Sequence, residues 1–429
     1  MHCIRKRRGC LVSSSFFYID TFATALFLGE YMTLGNQDII KAVDSLSRYQ
    51  VKTRRYLHEN PELSGEEIET SKFLKKEAKK LDLPIKEVEG TGFYAILDTG
   101  NPGKTLGLRT DIDALPIVEK DSNQKNMRLC KSIIEGKFHA CGHDGHMATL
   151  LGAMKILSQN KDKLKGKIIF IFEEGEETGS GIYKMVEALK NENIDAIYGE
   201  HLAAFLETGK IAVDAGPIMA GNAIVDFTVR GKGGHGSRPD LSISPIFVAS
   251  NIISGLASAW VNRIDVSKTV TLGLGLINGG TIANVIPDEV RVAGTLRYFD
   301  TDEGKKAIDL VKKVGSLTAE AHDCQFIENK IIHDNEPVIN DESLAKLAQE
   351  SIEDIMPGTI KKDLTWFASE TFAGYNKLCP IAFALVGTKN DDLGSGAEHH
   401  NEYFDIDEKS LSIGTIAMVK FANEFLTSN

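Results

Sequence analysis

The sequence predicts an α/β protein: a mainly parallel sheet with flanking helices, interrupted by a smaller inserted ferredoxin-like α+β unit. Three observations predict it. Short β-rich runs alternate with helical periods, the pattern of βα units and a parallel sheet. Near Gly216 the pattern changes to the order β-α-β-β-α-β, the ferredoxin-like arrangement. A chain of 429 residues is also too long for one ordinary core. Four segments follow: 1–31 as an extension outside the fold, 32–216 and 330–429 as two parts of one domain, and 217–329 as the insertion.

Each element has its own warrant. Asn36 to Asn60 sets Ile39, Ile40, Val43, Leu46, Tyr49, Val51, Tyr56 and Leu57 at helical spacing, and Pro61 ends the run. Ser64 and Glu67 have capping-box spacing and predict a helix to about Leu81. Phe93 to Asp98 and Thr105 to Arg109 are short strands joined by the turn cluster Thr99-Gly100-Asn101-Pro102-Gly103. A small-residue apolar run, Ala148 to Leu157, predicts a helix. Lys167 to Phe172 predicts a strand, Gly181 to Lys190 a helix, and Ala196 to Gly199 a strand ending at Glu200-His201.

In the insertion, strands are expected at 223–230, 269–277 and 289–298 and near Gln325. Helices are expected at about 243–261 and 302–321. The chain then returns with a helix near Glu342 to Ile355, a strand at Ile381 to Val386, and a last helix from about Glu408 to Phe425.

Composition is that of a soluble globular protein, 42% hydrophobic and 25% charged. A formal net charge of −11 argues against nucleic acid or an anionic membrane as partner. The six cysteines, Cys3, Cys10, Cys130, Cys141, Cys324 and Cys379, show no disulfide spacing, which fits a reduced, cytoplasmic setting. Residues 1–31 have a signal-peptide outline, with Arg5, Lys6, Arg7 and Arg8 before a moderately apolar run. Asp20 and the serines 13–15 interrupt that run, so an upstream extension is the preferred reading and a poor signal sequence the alternative.

The chemistry concentrates in Phe138-His139-Ala140-Cys141-Gly142-His143-Asp144-Gly145-His146, on a loop that opens a helix. Cys141 and His143 are two apart and can face one side, where a thiolate and an imidazole suit zinc and related divalent metals. Asp111, Asp113, Glu176, Glu177 and His201 all fall at strand ends, where ligands bind in parallel sheets. A charge run such as 173–177 is ordinarily a solvated loop. Here it ends a buried-looking strand, so one of its paired glutamates can bind metal while its neighbour serves as general base. His201 and the doublet His399-His400 would be unremarkable alone. They gain weight by completing a set of one Cys, three His and one Glu, too many for a single four-coordinate zinc, which suggests two metals. The glycine cluster 231–236 lacks the phosphate-loop pattern, and no Gly-x-Ser-x-Gly elbow is present.

Several stretches together resemble the metallopeptidase family of aminoacylases, carboxypeptidases and amidohydrolases. They are 57–64 (LHENPELS), 108–116 (LRTDIDALP), 139–146, Glu176-Glu177, 231–235, 284–288 (NVIPD), 294–297 (GTLR) and 400–404 (HNEYF). They run in family order from about residue 50 onward. The nearest resemblance is to the branch of hippurate hydrolase and the indole-acetyl-amino-acid hydrolases, with bacterial aminoacylase-like amidohydrolases.

The resemblance implies a phosphorylase/hydrolase-like catalytic domain with an inserted dimerisation or lid domain. It implies that Cys141, His143, Glu177, His201 and His400 bind two divalent ions per subunit (manganese, zinc or cobalt), with Cys141 the bridge. Glu176 is then the general base, and Asp113 supports a metal ligand. His235, Asn284 and Arg297 lie on the insertion and face the substrate. The spacing to Phe404 favours His400 over His399. One departure stands out. The family's Gln-Pro-Ala-Glu-Glu is Glu173-Glu174-Gly175-Glu176-Glu177 here, which brings an expectation of extra negative charge near the metals.

The expected activity is hydrolysis of the amide bond of a small N-acyl amino acid by a homodimer. Glu176 activates water, His235 donates to the oxyanion, and the planar guanidinium of Arg297 takes the substrate carboxylate. The rivals are a dipeptidase or carboxypeptidase on the same scaffold, and a non-catalytic metal-binding protein, in which Glu176 would have no purpose.

Overall fold

The computed structural model describes residues 34–427; the expectation for residues 1–31 lies outside them. A seven-stranded sheet forms the larger body. Its order is Ile85–Glu87, Phe93–Asp98, Lys167–Glu173, Thr105–Asp111, Ala196–Glu207, Ile381–Lys389 and Ile211–Ala212. The four strands from Lys167–Glu173 to Ile381–Lys389 run parallel, and the outer pairings are antiparallel. Alternation within a strand supplies both faces. Ile168, Phe170 and Phe172 enter one core, while Ile169 and Ile171 enter the other. Helices Asn36–Glu59, His143–Gln159, Glu342–Ile355 and Lys409–Thr427 cover the first face, and Ile182–Leu189 lies on the second.

Between residues 221 and 335 the chain builds a second sheet, fully antiparallel. Its order is Val270–Asn278, Glu289–Tyr298, Gly221–Arg230, Gln325–Asn335. Helices Pro245–Arg263 and Thr301–Glu320 join its strands. Ala223, Val225, Phe227 and Val229 alternate toward them in a separate core. Asp300 starts the second helix by accepting from the Asp302 and Glu303 N–H groups. The segments entering and leaving this sheet, Gly216–Met219 and Val338–Asn340, pair with each other.

Three sequence expectations are corrected. The second helix begins at Ile68, and no capping box forms. Ser64 Oγ instead donates to Asp113 Oδ2 at 2.6 Å, and Glu67 accepts from Gly175 N at 2.8 Å, so tertiary partners displaced the local cap. The strand from Ala196 continues to Glu207, which puts His201 mid-strand. Pairing with Thr105–Asp111 stops at Arg109–Gly199, while pairing with Ile381–Lys389 carries on, so the strand outruns one neighbour. The last strand of the second sheet extends to Asn335, beyond the expected boundary at 329.

Candidate metal centre and its cavity

The site forms where the parallel strands end. Gly142, in the left-handed region at φ 88°, turns the chain between Cys141 and the first residue of helix His143–Gln159. The turn brings Cys141 Sγ to 3.5 Å from His201 Nε2. Two groups of donors share that sulfur: Cys141 with His143 and His201, and Cys141 with Glu177 and His400. In the second, His400 Nε2 lies 3.3 Å from Glu177 Oε2. His399 also lines the cavity but joins neither donor group. Its Nε2 accepts the Ala204 N–H at 3.1 Å, and its ring packs on Trp366.

Neighbours fix the tautomers. His143 Nδ1 lies 2.9 Å from the Asp113 carbonyl, and His201 Nδ1 lies 2.8 Å from the Leu202 carbonyl. A carbonyl only accepts, so each Nδ1 carries a proton, and in the neutral ring each Nε2 offers its lone pair. His143 Nε2 and Glu177 Oε1 are buried without a hydrogen-bond partner. Leaving such atoms unpaired costs about 1–3 kcal/mol each, so these residues fit a bound cation. The electrostatics agree. Burial, and then the charge of Glu177, push the Cys141 thiol well above its usual range, a cost a cation would offset.

Asp113 buttresses the centre. One oxygen lies 3.1 Å from His143 Nδ1, and the other accepts the Glu177 N–H at 3.0 Å. Asp111 holds His146 Nδ1 at 2.7 Å, and His146 Nε2 accepts the Leu202 N–H at 2.9 Å. Glu176 stands beside Glu177. Burial, then Glu370 and Glu177, raise its carboxyl well above the ordinary range. The extra charge expected from Glu173 and Glu174 does not reach the centre. Glu173 is taken up by Arg109, Thr371 and Tyr375, and Glu174 by Lys184, Gly92 and Thr91.

A cavity of about 530 Å³ opens over these groups, and Cys141, Glu176, Glu177, His201, His400 and Arg297 all line it. Arg297 sits opposite Asn222 on the neighbouring strand of the second sheet, and its Nη1 is buried without a partner. His235 and Asn284 do not line the cavity. They adjoin each other on an exposed two-stranded ribbon, Gly234–His235 with Val285–Ile286. The Ser237 N–H donates to His235 Nδ1 at 3.1 Å, so Nε2 carries the proton of the ring and is its donor.

The profile of Peptidase family M20/M25/M40 matches residues 107–424, which span the whole centre. The chain belongs to this family. Among M20 relatives, it is 32% identical over 395 residues to thermostable carboxypeptidase 2 of Saccharolobus solfataricus, covering 89% of this chain and 98% of the relative. It is 35% identical over 383 residues to IAA-amino acid hydrolase ILR1-like 2 of Arabidopsis thaliana, covering 88% and 85%. A solved dinuclear metal binding peptidase of the M20 family from Bacillus subtilis superposes with a TM-score of 0.77 at 29% identity, covering 90% of this chain and all of that one.

Sequence reasoning passed over several residues of this M20 centre. Asn222, Trp366 and Glu370 line the cavity, and Thr371 N donates to Glu176 Oε1 at 3.0 Å. None belongs to a spaced cluster of ligand types. Glu370, the lone carboxylate between Ser369 and Thr371, was the one faint signal.

Proposed function

We propose that this M20 chain hydrolyses the amide bond of N-acyl amino acids, releasing a carboxylate and a free amino acid. One observation carries the reading. The unpartnered Nη1 of Arg297 belongs to a side chain that lines the same cavity as the metal-fitting donors and Glu176. An N-acyl amino acid presents an amide and a carboxylate together, and a planar guanidinium is suited to the latter.

Cys141, His143, His201, Glu177 and His400 would hold two divalent ions, with Cys141 common to both. Such ions supply Lewis acidity, which lowers the pKa of a water toward about 7 and polarises a carbonyl. Glu176 takes the proton of the attacking water and passes it to the leaving amine. Asp113 keeps the His143 ring and the Glu177 backbone in place through both steps. Arg297 holds the substrate by its carboxylate. His235 presents Nε2–H to the developing oxyanion.

His235 and Asn284 stand outside the cavity lining, so their part requires closure of the second sheet or delivery from a partner subunit. We read the second sheet with its helices, residues 221–335, as that closing and pairing unit in a homodimer. Support comes from its exposed apolar residues: Phe247 and Val261 on one helix, and Leu276 and Ile277 on the edge strand. The free thiols among the described residues, Cys130, Cys141, Cys324 and Cys379, fit a reducing cytoplasm.

A dipeptidase reading has its own support. Asp334 and Glu398 also line the cavity, and a carboxylate is what a free α-amino group needs. The test is a turnover screen of acetyl-, benzoyl- and longer-acyl amino acids against unblocked dipeptides, with manganese, zinc and cobalt. The proposal expects higher kcat/KM on the N-acyl series. Preference for unblocked dipeptides overturns it.

A further inference from the structure

Among the described residues, the Glu176 carboxylate takes one hydrogen bond, from the Thr371 N–H to Oε1 at 3.0 Å. The two residues are 195 positions apart in sequence. Thr371 opens a short 3-10 helix, Thr371–Lys377, that the Glu370 side chain caps through the Phe372 N–H, and a buried polar network holds its side chain. Thr371 Oγ1 donates to Glu173 Oε1 at 2.6 Å and accepts from Arg109 Nη2 at 3.0 Å. Arg109 Nε donates to Glu173 Oε2 at 2.8 Å, and the Tyr375 hydroxyl donates to the same oxygen at 2.7 Å. Arg109 Nη1 donates to Asp111 Oδ2 at 2.7 Å, and Asp111 holds His146. Arg109, Asp111, Glu173, Thr371 and Tyr375 are all buried. A satisfied buried network of this kind rigidifies its members.

We propose that Thr371 is a positioning residue for the general base: Arg109 and Glu173 clamp its hydroxyl, so that its N–H pins Oε1 of Glu176 and leaves Oε2 to take the proton from water. The inference rests on Glu176 being the base. The clamp also explains the Gln-to-Glu departure at position 173. A carboxylate can accept from Arg109, Thr371 and Tyr375 at once, which an amide with a single oxygen does less well. Through Arg109 the same network ties the base to the Asp111–His146 pair behind the metal-fitting donors. A displacement on one side is therefore felt on the other.

The experiment compares manganese-loaded Thr371→Val, Thr371→Ser, Tyr375→Phe and Glu176→Gln with wild type on N-acetyl- and N-benzoyl-amino acids. Metal content and thermal melting are measured in parallel. Valine keeps the shape and deletes Oγ1. Thr371→Val should lower kcat about 10- to 100-fold, the scale of misplacing a catalytic group, with KM and metal content unchanged. Thr371→Ser should recover most of kcat. Tyr375→Phe, which loosens the clamp without touching Thr371, should lower kcat several-fold and serves if the valine variant does not fold. Added to Glu176→Gln, Thr371→Val should bring no further loss, because its effect runs through the carboxylate. Near-normal turnover by Glu176→Gln would remove the base, and this inference with it. An inactive Glu176→Gln beside wild-type kcat in Thr371→Val and Tyr375→Phe would overturn the positioning role alone.

Discussion

Asp113 Oδ1 lies 3.1 Å from His143 Nδ1, a contact that orients a metal-fitting imidazole from behind. The other oxygen of the same carboxylate accepts the Glu177 N–H, so one side chain aligns two donors. Outer partners of this kind typically change metal affinity about 10- to 100-fold when removed. Asp113→Ala should weaken metal retention by that factor, read by dialysis against a graded chelator series. Wild-type retention would show that Asp113 is merely buried.

Cys141 belongs to both donor groups and lines the cavity through which a reagent would reach it. A metal-bound thiolate resists alkylation. Metal-free protein should therefore lose activity to iodoacetamide faster than metal-loaded protein, assayed after reloading. Equal rates would take Cys141 out of the bridge.

His58 is buried between two carboxylates, with Nδ1 2.7 Å from Asp144 and Nε2 2.9 Å from Glu119. Burial, together with Arg54, opposes its charge, but the two carboxylates prevail and raise its pKa. A raised folded pKa gives stability that is fully present below the unfolded value of about 6.5 and fades as pH rises through the folded value. His58→Gln should cost about 3–5 kcal/mol at about pH 6, the scale of breaking a buried ion pair. The gap to wild type should narrow at alkaline pH. Urea unfolding at both pH values tests this, and a gap that widens with pH would contradict a cationic His58.

His235 can act within its own chain or across a dimer. Mixing His235→Ala subunits with Glu176→Gln subunits separates the two. Heterodimers should regain one complete site, with activity well above either parent. Subunits that exchange without recovering activity would restrict His235 to its own chain.

The parts of this protein legible in sequence are those whose meaning is local. The cluster from His139 to His146 and the paired glutamates 176 and 177 declare themselves by spacing. Most strands and helices follow from periodicity. What sequence hid depends on partners far along the chain. Ser64 and Glu67 had the spacing of a cap, but Asp113 and Gly175 claimed them. Glu173 read as surplus charge until Arg109 was found beneath it. Thr371 and Asn222 are ordinary residues in sequence, and only the fold sets Thr371 against Glu176 and Asn222 opposite Arg297.

The metal-fitting donors run from residue 141 to residue 400, and the last helix, Lys409–Thr427, packs against both Asn36–Glu59 and His143–Gln159. During synthesis, the Cys141–Glu177–His400 group thus waits for almost the entire chain to emerge. A nascent or prematurely ended polypeptide has Cys141 and Glu177 but neither His400 nor the last helix that packs on His143–Gln159. The Cys141–Glu177–His400 group is thus assembled only from a chain that extends through residue 400.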